Sequence, residues 1–162
     1  MQAVVADASP IRYLVLIGAD SYLERIYERI LIPSTVAAEL QAARTPPLVQ
    51  AWMKTPPPWV EVVPASRPTG TQVLSASLDP GESHVLRLAL QFESALVLID
   101  ERVGVSEARR LGLDVIGTLG ILVKCAERGW IDLRFALEEL RKTNFRVHPK
   151  LIREILDAHY GE

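Results

Sequence analysis

The sequence predicts an α/β domain built on a central parallel sheet, and three observations point there. Short apolar runs around Val4-Val5, Ile30-Leu31-Ile32 and Ala95-Leu96-Val97-Leu98-Ile99 suit strands buried on both faces. Segments with helical apolar spacing separate these runs. Parallel neighbours require crossover connections, and crossovers cover both faces of the sheet with helices. The chain is expected to form one domain over residues 1–162.

The elements follow in order. Ala3 to Ala6 reads as the first strand, ending at Asp7. Ser9-Pro10 reads as a helix cap followed by proline at the first helical position, with Ile11, Leu14 and Ile17 as the apolar stripe and Gly18 as the stop. Asp20 offers a second cap, ahead of Leu23, Ile26 and Tyr27. A second strand at Ile30 to Ile32 closes on Pro33, and Ser34 is expected to cap a helix that carries Val36, Glu39, Leu40 and Ala43. Between two proline clusters lies a short helical piece with Val49, Trp52 and Met53. Trp59 to Val63 then alternates like an edge strand, and residues 64–77 read as a mobile loop.

Asp79-Pro80-Gly81-Glu82 has the spacing of a capping box and opens a helix through Val85, Leu86, Ala89 and Leu90. The run from Ala95 to Ile99 is the clearest buried strand, and Asp100 follows it directly. A helix with Val105, Ala108 and Leu111 ends at Gly112, and a strand at Asp114-Val115-Ile116 follows. A helix from Thr118 to Arg128 stops at Gly129, Asp132 caps another, and a last helix follows Pro149.

Composition narrows the function classes only a little. With 18 basic and 20 acidic residues, the net charge of −2 neither demands nor excludes a nucleic-acid partner. The single cysteine, Cys125, sits in an apolar helical pattern and reads as core filler in a reducing compartment. The N-terminus has no basic leader, and no stretch approaches the ~18 apolar residues of a membrane span. A cytoplasmic location without membrane contact is the expectation.

In open parallel sheets, ligands bind beyond the carboxyl ends of the strands. Asp7 and Asp100 stand there, while Glu39 and Glu82 lie on helices that could face the same crevice. Four converging carboxylates repel one another unless a cation joins them, and hard oxygen donors match Mg²⁺ or Mn²⁺. Such ions bring phosphodiester hydrolysis within reach.

These segments also carry a resemblance. Val4-Val5-Ala6-Asp7-Ala8-Ser9-Pro10, the segment from Ile30 through Pro33-Ser34-Thr35 to Glu39-Leu40, Leu78-Asp79-Pro80-Gly81-Glu82-Ser83 and Leu98-Ile99-Asp100-Glu101-Arg102 resemble the PIN-domain nucleases. Leu111-Gly112-Leu113 and Val115-Ile116-Gly117-Thr118-Leu119-Gly120 are similar to an uncharacterised PIN-like subgroup, and the likeness spans residues 4–156. It implies a three-layer α/β/α fold and an Mg²⁺- or Mn²⁺-dependent endoribonuclease, with Asp7, Glu39, Glu82 and Asp100 as metal-binding and catalytic acids. Ser9 and Thr118 match supporting polar positions. It further implies an RNA substrate, a homodimer and the role of toxin beside a small antitoxin protein. The departure lies after Asp100, where many family toxins have phenylalanine and this chain has Glu101-Arg102. Whether Glu101 joins the site or Arg102 neutralises it stays open at this point.

Plainer roles stand beside these. Asp7, Ser9, Asp100 and Thr118 could be simple caps, and Glu39 a solvated helix residue. Arg102, Arg109, Arg110, Lys124 and Arg128 could meet phosphates or merely face solvent. Trp52, Trp59 and Trp130 fit burial better than base stacking, and the three histidines lack metal-ligand spacing. A PIN-like module that binds RNA or protein without cutting remains the alternative. A phospho-accepting receiver wants paired acids after the first strand, where Asp7 stands beside Ala6. Neither a Gly-x-Gly-x-x-Gly turn nor a Gly-Lys-Ser/Thr phosphate loop is present, which removes the nucleotide-binding classes.

Overall fold

The structure, a computed structural model, describes residues 2–64, 74 and 77–161. The chain runs β1 (Ala3–Ala6), α1 (Ala8–Leu16), α2 (Tyr22–Tyr27), β2 (Ile30–Pro33), α3 (Ser34–Leu40), α4 (Pro47–Lys54) and β3 (Val60–Val63). It continues through α5 (Pro80–Ala89), β4 (Ala95–Leu98), α6 (Arg102–Arg110), β5 (Asp114–Ile116), α7 (Thr118–Glu127), α8 (Leu133–Arg141) and α9 (Pro149–Tyr160). Most of the loop expected over residues 64–77 lies outside the described residues.

The five strands pair in the order β3-β2-β1-β4-β5, and every pairing is parallel. Helices flank this sheet in a three-layer α/β/α arrangement, as the alternation of elements predicts. From β1 the chain builds outward to β2 and β3, then returns to lay β4 against the other side of β1. The order therefore reverses between β1 and β4, and in open α/β sheets ligands bind in the crevice at such a reversal. Val5 pairs with Val97 and Ala6 with Leu98, so the carboxyl ends of the two strands lie side by side. Asp7 N–H donates to the carbonyl of Leu98 at 2.9 Å and extends that ladder by one residue.

Packing fixes this geometry. Val5, Ile30, Ile32, Val97 and Leu98 are fully buried, as strands covered on both faces require. The edge strand β3 is exposed at its centre, where Glu61 and Val62 both face solvent, so its burial does not follow the alternation of its sequence. Ile121 and Leu122 of α7 are also fully buried. Each such side chain contributes roughly 1.5–3 kcal/mol, and together they pin the N-terminus of α7 beside β4. Cys125 is a buried free thiol in the same face, and Trp52, Trp59 and Trp130 pack against the core.

Local signals differ from expectation at three helix starts. α1 begins at Ala8, so the cap position belongs to Asp7 and Ser9 lies inside the first turn. α2 starts after Ser21, and the Asp20 carboxylate accepts a hydrogen bond from Trp52 Nε1 at 3.0 Å. Pro33 takes the cap position of α3, leaving Ser34 as its first residue, and the helix ends at Leu40, short of Ala43. At the first two the physical reason is shared: a short polar side chain near a helix start can serve a distant partner as readily as the local backbone.

Candidate active site

Asp7 occupies the turn from β1 into α1, is only 5% exposed, and makes no side-chain capping bond. It shares a cavity of about 220 Å³ with Glu39 from α3, Asp79 and Glu82 at the start of α5, Glu101 at the start of α6, and Arg12 from α1. The fold thus brings three of the four predicted acids to one crevice, at the reversal between β1 and β4.

The electrostatics of this crevice follow from crowding. Burial pushes the Asp7 carboxyl up to about 7; the Ala8 backbone N–H opposes that rise, while the charges of Asp79, Glu39 and Glu82 add to it. Glu39 is also raised, first by burial and then by Asp79, with Arg12 and Arg44 pulling the other way. Glu82 is raised by burial, against the hydrogen bond it accepts from Asp79 N–H, and further by the charges of Asp79 and Glu101.

Glu82 fills two roles at once. Its Oε1 accepts from Asp79 N–H at 3.1 Å while Asp79 Oδ1 accepts from Glu82 N–H at 2.7 Å, completing the capping box. Its Oε2 is buried with no hydrogen-bond partner among the described residues. A buried carboxylate oxygen left unmatched is costly, so that atom lacks only a cation or a donor.

Asp100 is held quite differently. Ser9 Oγ and Thr118 Oγ1 each donate to its Oδ2 at 2.7 Å, and Thr118 N–H donates to Oδ1 at 2.7 Å. The Ser9 and Thr118 hydroxyls therefore serve Asp100 rather than capping their own helices. Asp100 lies on a larger adjoining cavity of about 840 Å³, and Ser9, Tyr13 and Glu101 line both spaces. Glu101 faces the acidic cavity, whereas Arg102 lines only the larger one.

Two glycines make room for these acids. A Cβ on Gly117 would stand 2.6 Å from Asp100 Oδ1, and one on Gly104 would stand 2.9 Å from Glu82 Oε2. Side chains there would displace the carboxylates.

Among the described residues, no three His, Cys, Asp or Glu side chains stand close enough to hold a metal ion as they are placed. The chemistry of the donors nonetheless fits a hard divalent cation: buried carboxylates with raised proton affinity, one orphaned oxygen, and backbone cleared by glycine. Asp7, Glu39, Glu82 and Asp100 are the residues that would hold it.

Sequence reasoning treated Asp79 only as a cap and passed over Arg12. The first carries a visible signal, being the acid three residues before Glu82; the second had none, since an arginine on a helix face is ordinary. Among the described residues no helix is long and apolar enough to cross a membrane. A family model described as a PIN domain matches residues 3–160. No curated protein matches the chain.

Proposed function

This chain belongs to the PIN-domain family, a nuclease-type fold, and from that premise we propose that it is a divalent-metal-dependent endoribonuclease. The observation that carries the reading is the crevice between β1 and β4, where Asp7, Glu39 and Glu82 share one cavity and Asp100 adjoins it through Ser9. A bound Mg²⁺ or Mn²⁺ would activate a water and offset charge on the phosphodiester. The protein's own part is to hold acids ready. Ser9 and Thr118 fix the Asp100 carboxylate, the capping box fixes Glu82 by one oxygen, and burial keeps Asp7 short of solvent. The substrate is RNA, and the biological setting is the toxin of a type II toxin-antitoxin pair, cytoplasmic and homodimeric, with the chain acting as one domain.

The test is cleavage of a panel of single-stranded and structured RNAs by purified protein with Mn²⁺. Cleavage by the wild type that disappears in Asp100→Asn supports the reading; intact RNA throughout, or an Asp100→Asn variant that cuts as well as wild type, ends it.

One observation favours a second reading, a catalytically silent module that binds RNA or a protein. Asp100 already accepts three hydrogen bonds, and no trio of acids among the described residues has metal-ligating spacing. Calorimetric titration with Mn²⁺ separates the two, because failure to bind in the millimolar range favours the silent module.

A further inference from the structure

The larger cavity beside Asp100 is wider than an ion site needs, and its walls carry a consistent chemistry. Arg102 and Arg109 reach it from α6, and Arg146 and His148 reach it from the link between α8 and α9. Asp100 and Glu101 are the acids on its lining, and both sit at the end joined to the acidic crevice. Away from that end the charged lining is cationic. Among the described residues, Arg102, Arg109 and Arg146 make no ion pair, although Arg110, one position along the same helix, pairs with Glu107. All three are exposed at the surface, so their charge is presented to whatever enters.

The far wall is held in place rather than left loose. Tyr13 of α1 donates a hydrogen bond through its hydroxyl to Asn144 Oδ1 at 2.8 Å, and its ring meets Phe145 edge-on with centroids 4.9 Å apart. Tyr13 is buried and lines both cavities. It therefore ties the segment carrying Arg146 to the helix that carries Ser9 and Arg12.

We propose that this cavity is the seat of a single RNA strand, whose phosphates meet Arg102, Arg109 and Arg146 while the chain leads one phosphodiester into the adjoining acidic crevice. The inference deepens the nuclease reading and rests on it for the direction of the strand. A cavity of about 840 Å³ takes a short run of nucleotides, and a single strand, unlike an A-form duplex, has unstacked bases free to meet its wall. Cations at one end and acids at the other would orient the strand, since phosphates are drawn to the arginines and repelled by the carboxylates unless a cation intervenes. Phe145 in the same wall offers a face on which a base can stack.

The experiment reads binding without chemistry. A fluorescein-labelled single-stranded RNA of ten nucleotides is titrated with the full chain in EDTA, from 50 to 200 mM KCl. Wild type, Arg109→Ala, and the triple variant Arg102→Ala/Arg109→Ala/Arg146→Ala are compared, with circular dichroism melts to establish folding. Expected is weaker binding in the variants and a salt slope shallower by about 0.7 for each arginine removed. A hairpin of the same composition should compete poorly. A folded triple variant that binds with wild-type affinity and slope overturns the proposal, as does a hairpin that competes as well as the single strand or a wild type that does not bind. Cleavage with Mn²⁺ is scored separately. Arginine-dependent binding without cleavage keeps the strand seat and removes the nuclease reading; cleavage that is indifferent to the arginines does the reverse.

Discussion

Asp7 and Asp100 follow adjacent strands of one sheet, yet their carboxylates are held by opposite means. Asp100 is satisfied: two hydroxyls and one backbone N–H converge on its oxygens. Asp7 is confined, buried in a crevice with three other acids acting on it, and its carboxyl is pushed up to about 7. Burial without enough donors resists the charge of a carboxylate. The fold thus keeps one acid in a fixed orientation and leaves its neighbour crowded by other acids, and in the proposed nuclease the two would form the halves of a cation site.

The sharpest way to break that contrast is to neutralise each acid in turn. Both Asp7→Asn and Asp100→Asn are expected to reduce Mn²⁺-dependent RNA cleavage to background, but to move the stability of the metal-free protein in opposite directions. Asp7→Asn should stabilise at pH 8 by removing a charge the crevice disfavours. Asp100→Asn should destabilise by about 1–3 kcal/mol, because an amide NH₂ replaces an acceptor that faces donors. Urea melts of both variants at pH 8 check the signs; a shift in the same direction for both removes the contrast.

Proton linkage is the next largest effect. The Asp7 pKa in the folded state, about 7, lies above its ordinary value of 3.8, so the folded protein gains from protonating it. That stability is fully present below 3.8 and is lost as pH rises through 7. Between pH 8 and pH 5 the metal-free protein should therefore gain on the order of 2–3 kcal/mol from this group, or roughly 5–10 °C in Tm. Glu39 and Glu82 shift in the same direction and add to the trend. Thermal melts in EDTA across that range test it, and in Asp7→Asn the slope should flatten. Adding Mn²⁺ should raise Tm more at pH 8 than at pH 6, because protons and metal compete for the same oxygens.

Smaller effects belong to the supports. Thr118→Val and Ser9→Ala are each expected to weaken Mn²⁺ binding by ~10–100-fold in calorimetry while the fold persists, since both orient Asp100. Gly104→Ala should cost about 1–3 kcal/mol, because its methyl would crowd Ile99 and Glu82 Oε2. That loss read in a denaturant melt sharpens the comparison on the Glu82 side.

The sequence made the scaffold readable and the site only partly so. Buried runs such as Ala95 to Ile99 and the box from Asp79 to Glu82 announce themselves locally, and the structure has both. Acids at strand ends were equally visible, and Asp7, Glu39 and Glu82 do meet at one cavity. Ser9 reads in the sequence both as a cap and as a support for the acids, because a hydroxyl near a helix start has the same appearance whether it serves its own backbone or Asp100, 91 residues away; in the structure it serves Asp100. The order of strands, and with it the reversal between β1 and β4, has no local signature, since any pairing of buried runs satisfies the same pattern. Arg146 was out of reach for the same reason: only the folded chain brings the link before α9 against α6.

The insertion of β4 beside β1 sets a timetable for synthesis. Asp7 and Glu39 leave the ribosome before Asp100, whose clamp closes only when Thr118 has emerged and β4 has paired with the free edge of β1. Long-range strand pairing of this kind is slow relative to local helix formation. A growing chain thus carries its acids in separate pieces until the segment through Thr118 has been made, and any activity that needs them together stays silent until then.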